Sequence, residues 1–324
     1  MRPFPALTAL TILLSNLTLG GGAAPGAEPP PEQLPLATAE PLHAPPPQSL
    51  TYEPIDHPWS PTTEPLDNWE NAWGWEILPS ELIYKSYLAG VKEPRIGSVW
   101  FHDKGEGWLW DSTLGGRVGL IRYGTLGDER PEGWQLDLEG AAFVRLDPIE
   151  DRDLQSADFR FGFPLTWGKG NWQAKFGYYH LSSHLGDEFS LKNPTYMRNN
   201  YSRDCLVLGV GYFVTPAVRL YGETAFGMYV SGPAQPWEFQ FGAEYSPPYV
   251  PGRPIAPFWA LNGHLRQELN FGGNFVAQAG WQIRGRPYGP LFRAGLQYYN
   301  GGSPQMQFYS RSEQQFGFGL WYDY

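Results

Sequence analysis

Past position 25 the chain has no apolar run that approaches the roughly 20 residues a membrane helix needs, and its mean hydropathy is −0.40. A bundle of transmembrane helices is excluded. Cysteine is reduced to Cys205, which leaves no internal disulfide and no zinc site of Cys/His spacing. Charged residues make up only 17%, and their net charge of −10 includes no basic stripe, so nucleic acid is not an expected partner. There is no glycine-rich phosphate loop followed by Lys-Ser/Thr, no His-Glu-x-x-His and no nucleophile elbow.

Glycine (39 residues), proline (32) and aromatics (16%) are abundant instead. Many aromatics with few charges suit strands that show one face to lipid and the other to an interior. The first 24 residues read as a secretory signal: Arg2 is the positive start, Ala6 to Leu19 the apolar stretch, and Gly20 to Ala24 the small residues of a cleavage site. Residues 25–68 are proline-rich, with Pro29-Pro30-Pro31 and Pro45-Pro46-Pro47 the densest points. Proline lacks a donor and fixes φ, so this stretch reads as an extended, disordered periplasmic linker. Residues 69–95 form a pre-barrel segment that reads equally as a cap, an inner plug or an added strand.

From Trp108 onward the period is two. Trp134, Leu136, Leu138, Ala142, Val144 and Leu146 fall on one face, against Gln135, Asp137, Glu139 and Arg145. Phe159, Phe161, Phe163, Leu165 and Trp167 oppose Asp158 and Arg160. Aromatics cluster at strand ends like girdles at a lipid interface. The final stretch, Phe316 to Tyr324, is amphipathic and ends on an aromatic, which is the expected recognition element for the barrel-assembly machinery. The fold class is therefore all-β: an antiparallel up-and-down transmembrane barrel of outer-membrane type over residues 96–324. Eleven strands are clear, and Ile96 to His102 makes about twelve. Inward charges of both signs (Arg117, Asp137, Glu139, Arg145, Asp158, Arg160, Arg203, Glu238, Arg266 and Arg293 among them) predict a polar-packed lumen rather than a wide channel, which belongs to larger barrels.

One strand breaks the apolar pattern. After Trp172, Ala174, Phe176 and Tyr178, the outward face continues as His180 and Ser182. On the next strand Asn200, Ser202 and Asp204 share that outward side. A serine needs a base to attack at neutral pH, and the base needs a third group to fix its tautomer. Ser182, His180 and either Asn200 or Asp204 are the candidates, facing outer-membrane lipids near the outer leaflet.

The stretch Gly177-Tyr178-Tyr179-His180-Leu181-Ser182 followed by Asn200-Tyr201-Ser202-Arg203 resembles the active-site hairpin of outer-membrane phospholipase A and, more loosely, of lipid A deacylase. That resemblance implies a triad on the lipid-facing wall and, for the phospholipase, calcium, with Asp187 and Glu188 as nearby acidic residues. The family's Ser-Asn-Gly reads Ser182-Ser183-His184 here. Over most of the mature chain the sequence is more similar to the domain of unknown function 1207 family, a bacterial envelope family. Gly107-Trp108-Leu109-Trp110-Asp111, Trp134-Gln135-Leu136-Asp137, His180 to Phe189 and Leu320-Trp321-Tyr322-Asp323 carry that likeness.

The sequence supports an integral outer-membrane barrel whose specific activity it does not define. The alternative is a membrane-embedded lipid esterase. A third reading is a partner-binding barrel acting through the loops Leu185 to Asn199 and Gly301 to Glu313, whose removal would leave folding intact.

Overall fold

The computed structural model describes residues 72–126 and 130–324. The expected signal and proline-rich linker lie outside the described residues. In chain order the strands are β1 (Trp73–Ile77), β2 (Ile96–Asp103), β3 (Gly107–Thr125), β4 (Gly133–Asp147), β5 (Asp153–Lys169), β6 (Trp172–Leu185) and β7 (Ser202–Thr215). They continue as β8 (Val218–Ser231), β9 (Trp237–Tyr245), β10 (Ile255–Arg266), β11 (Gly273–Arg284), β12 (Leu291–Gly302) and β13 (Ser312–Asp323). A short helix, α1 (Asp187–Lys192), lies between β6 and β7.

Strands β2 to β13 pair antiparallel with their sequence neighbours, and β13 pairs back onto β2, with Tyr322 opposite Ile96 and Gln315 opposite Asp103. The result is a closed twelve-stranded barrel. Closure leaves no ladder edge facing hydrocarbon, where each unpaired group would cost several kcal/mol. The alternation read from the sequence is the inside–outside alternation of the wall. Phe159, Phe161 and Phe163 are each more than 40% exposed, while Asp158 just before them and Arg160 between the first two are buried. A surface so apolar belongs in lipid, not water.

Where the alternation slips, a bulge restores it. Leu114 and Val118 point outward on β3 at even positions, and Ile121 and Tyr123 do so at odd ones. The register shift between Gly119 and Ile121 makes the change, keeping apolar residues outside throughout.

Strand β3 is 19 residues long, far longer than β2. Its free edge is shared: β2 pairs with Gly107 to Leu114, and β1 pairs with Ile121 to Thr125. Strand β1 thus fills the step in the rim where β2 begins and β13 ends, here the terminal rim. Tyr324 packs across the same step, so close to Gly116 that a Cβ there would sit 2.6 Å from the ring. Trp73 and Trp75 of β1 lean on Tyr123, and Trp172 on Tyr212, forming an aromatic belt at this rim.

Between β1 and β2 the chain turns into the lumen. Ile83, Tyr84, Tyr87 and Ala89 of this insert are almost wholly buried. Its backbone is irregular, and the wall satisfies it: Glu244 accepts from Leu88 N at 2.9 Å, Arg219 donates to the carbonyls of Lys85 and Ser86 at 3.0 and 3.1 Å, and Gln173 donates to that of Ile83 at 2.5 Å. The pre-barrel segment is thus part added strand and part inner plug. At the opposite rim a second insert enters. Residues 303–308, expected as part of an external binding loop, fold inward, and Ser303, Gln305, Met306, Gln307 and Phe308 are all buried. Their polar groups bond to the wall, as in Gln307 Nε2 to the carbonyls of Ser183 and Asn199 at 2.9 and 2.8 Å. Deleting Gly301 to Glu313 would therefore empty part of the core, contrary to the expectation that folding would survive.

Asp158 joins the two inserts, taking Lys92 Nζ of the first at 2.5 Å and Met306 N of the second at 3.1 Å. Around them the inward charges pair as the sequence implied. Arg117 meets Asp137 at 2.8 Å, Arg160 meets Glu139 at 2.8 Å, and Arg293 and Arg95 share Asp323 at 2.7 and 2.9 Å. A cavity of ≈ 50 Å³ remains beside Gln278, Gln297, Gln305 and Gln315, room for a few waters. The lumen is a packed polar core.

Candidate functional site

The site lies outside the barrel, on the β6–β7 hairpin. Its register sets His180 directly opposite Asp204, and Ser182 opposite Ser202. On β6 the outward row is Tyr178, His180, Ser182 and His184, while Tyr179, Leu181 and Ser183 are buried inside. On the other flank β5 places Phe163, Phe161 and Phe159 beside Tyr178, His180 and Ser182 respectively. A polar row thus runs between aromatic residues on a wall that meets lipid.

His180 Nδ1 lies 2.8 Å from Asp204 Oδ1, and the Tyr178 hydroxyl donates to the same oxygen at 2.6 Å. With Asp204 ionised, Nδ1 must carry the imidazole proton, which leaves the Nε2 lone pair free to accept one. Two donors on one carboxylate oxygen fix the rotamers of both aromatic partners. The side chains of His180 and Asp204 are 40% and 28% exposed, so both are open on the outer side of the wall. A register shift between Asp204 and Cys205 leaves Met228 unpaired on β8, a bulge at the point where the carboxylate is aimed. Ser182 Oγ stands on the same face two residues above the imidazole and makes no hydrogen bond to it among the described residues. In sites without substrate such contacts are often long and tighten on binding.

Beneath this surface the hairpin is anchored from inside. Arg203, next to Asp204, is fully buried and paired with Glu238, and its Nη2 donates to the Pro236 carbonyl at 3.0 Å. Cys205 is buried, with Arg203 Nε 3.0 Å from its sulfur.

Of the two candidates for the third member, the hairpin brings Asp204 to His180. It does not bring Asn200, whose Nδ2 donates to Ser231 Oγ at 3.2 Å on the neighbouring strand. Asp187 and Glu188 are exposed in the first turn of α1, where their charge complements the helix end. Among the described residues no cluster of three or more His, Cys, Asp or Glu side chains is arranged to hold a metal ion. Sequence reasoning missed Tyr178 as a second partner of Asp204. The signal was present in its place on the outward row next to His180.

A family model described as "Protein of unknown function (DUF1207)" matches residues 107–324. The chain belongs to this family. None of the curated proteins matches the sequence. Among solved structures, outer membrane phospholipase A from Escherichia coli is similar at 12% identity and a TM-score of 0.46, covering 71% of this chain and 93% of that one. The Salmonella typhi outer membrane phospholipase dimer with bound calcium gives 12%, 0.46, 74% and 94% in the same order. A porin of Rh. blastica gives 9%, 0.28, 71% and 99%. Identities this low and superpositions this loose transfer no residue role.

Proposed function

We propose that this outer-membrane barrel is a lipid acyl-ester hydrolase whose site is Ser182, His180 and Asp204 on the lipid-facing wall. The observation that carries the reading is the 2.8 Å contact between His180 Nδ1 and Asp204 Oδ1, on a face otherwise given to apolar residues, beside a serine. An ion-pairing polar group exposed to hydrocarbon is costly, and one retained there marks function by default. The resemblance of the hairpin to that of outer-membrane phospholipase A supports the same roles. With the terminal rim in the periplasm, the site lies at the outer leaflet.

In this reading His180 Nε2 takes the Ser182 proton as Oγ attacks the ester carbonyl of a lipid. Asp204 stabilises the imidazolium, which then protonates the departing alcohol of the lysolipid. Water, deprotonated by the same nitrogen, attacks the acyl-serine and releases the fatty acid, restoring Ser182. Tyr178 and Asp204 act as positioning residues for the base. Asp187 and Glu188 follow β6 closely in sequence but form no cluster arranged to hold calcium among the described residues, and the chemistry is carried by Ser182 and His180.

The test is fatty-acid release by the refolded full chain in mixed micelles, with and without calcium. Wild-type protein should release acid, and S182A and H180A should each abolish release while the barrel keeps its heat-modifiable gel mobility. No release from wild-type protein under either condition would sink the reading and leave a non-catalytic envelope barrel.

A further inference from the structure

The outward row of β6 does not end at Ser182. His184 follows on the same face, and beyond it Arg198 reaches down from the loop so that its Nη2 lies 3.5 Å from His184 Nδ1. Building on the hydrolase reading, we infer that Arg198 and His184 form a phosphate-recognition site for the head group of the lipid whose ester meets Ser182.

Three observations bear on this. The first is charge pairing. Arg198 has no carboxylate partner among the described residues, as is also true of the exposed Arg152 and Arg253, but Arg198 is the one that lies against the outward row of the site. A guanidinium left open beside that row is free to take an anion, and its planar fork suits phosphate oxygens.

The second is that the backbone presenting it is held. Asn199, its neighbour, donates through N and Nδ2 to Gln307 at 3.0 and 2.7 Å and accepts from Gln307 Nε2 at 2.8 Å. Tyr196 donates to the Gln307 carbonyl at 2.9 Å and packs edge-on against Phe189 and Phe308. The inward-folded insert therefore fixes the loop on both sides of Arg198. The neighbouring Met197 is 86% exposed, an apolar side chain suited to the lipid interface where head groups lie.

The third is spacing. Two residues along a strand cover about 6.6 Å. His184 is therefore displaced from Ser182, toward the rim, by a reach like that between the acyl carbonyls and the phosphate of a glycerophospholipid. Phe159 packs edge-on against His184 at 5.7 Å and fixes the ring beside the acyl-facing aromatics. Phosphorylated lipid A presents the same chemistry, and free phosphate presents it without the acyl chains.

The test uses the full chain carrying S182A, refolded in dodecyl maltoside, with dihexanoylphosphatidylglycerol followed by its phosphorus resonance. Binding should weaken by about tenfold or more in S182A/R198A and S182A/H184A, the scale of one lost charge-assisted hydrogen bond, and R198K should recover part of it. Unchanged binding in both variants would overturn the inference. Inorganic phosphate should compete only at far higher concentration, and competition at equal concentration would overturn the lipid assignment. With Ser182 intact, R198A should slow release from phosphatidylglycerol and from phosphorylated lipid A while leaving a diacylglycerol of the same chains unaffected. If no substrate yields fatty acid, the hydrolase reading fails, and the binding measurement still decides the phosphate site.

Discussion

Replacing Arg145 by alanine tests the packed lumen most directly. Arg145 is 1% exposed, projects from β4, and bonds Asp111 of β3 through Nε and Nη2, both at 2.8 Å. Its Nη1 reaches Glu313 of β13 at 2.7 Å, so one side chain braces strands on both sides of β2. Glu313 is 4% exposed and cannot recruit bulk water when the arginine goes. Removing one partner of a buried pair costs about 3–5 kcal/mol, because the other charge stays buried and uncompensated. Replacing all three groups by R145M/D111L/E313L removes the stranded charge as well and should bring stability to within about 1–2 kcal/mol of wild type. Urea unfolding of the refolded protein, read from its 14 tryptophans, gives both numbers. Glu313 also opens the strand that follows the second insert, so R145A should expose Arg311 to trypsin. An R145A cost under about 1 kcal/mol, or a triple variant no better than the single one, would refute the account of the lumen as a mutually dependent charge network.

The other expectations concern the site, the plug and the pore. D204A, which leaves the His180 base unheld, should lower fatty-acid release by up to the roughly 10²–10⁴-fold that a positioned base contributes, whereas D204N, which can still accept from Nδ1, should lose much less. Equal loss in the two would show that charge rather than orientation matters at that position. Burial, with Arg284 nearby, pulls Lys85 of the first insert down from 10.5 to about 7. Folded protein then binds fewer protons than unfolded protein between those values, so stability should rise with pH across that window, and K85M should flatten the rise in urea midpoints. Planar-bilayer recordings should show no stable open-channel steps, because inserts from both rims fill the lumen; regular steps would contradict the packing.

The barrel was legible because its wall follows a rule of period two that a single chain displays without help from its neighbours. Phe159, Phe161 and Phe163 against Asp158 and Arg160 already state which side is lipid. The inserts were not legible. Ser303 to Phe308 has the composition of an exposed loop, and its polar groups are satisfied only by carbonyls and side chains from distant strands, such as Ser183 and Asp158. No local pattern encodes that. The site was half readable: His180 and Ser182 stood out as polar residues on an apolar row. The choice between Asp204 and Asn200 depends on the hairpin register, which the length of the intervening loop does not specify. Tyr178 was seen as an aromatic of the wall, although its hydroxyl makes it a partner of the carboxylate.

The first insert is stitched into the wall at both of its ends, since the residues before it belong to β1 and those after it to β2. It is therefore no stopper that could be drawn out, but a clasp with both straps sewn down. Both straps leave from the same rim, so the segment can fold into the lumen as a loop without any end passing through the wall. Unfolding the insert alone would free neither end, so a filling held in this way stays next to its seat and can return to it after any local opening.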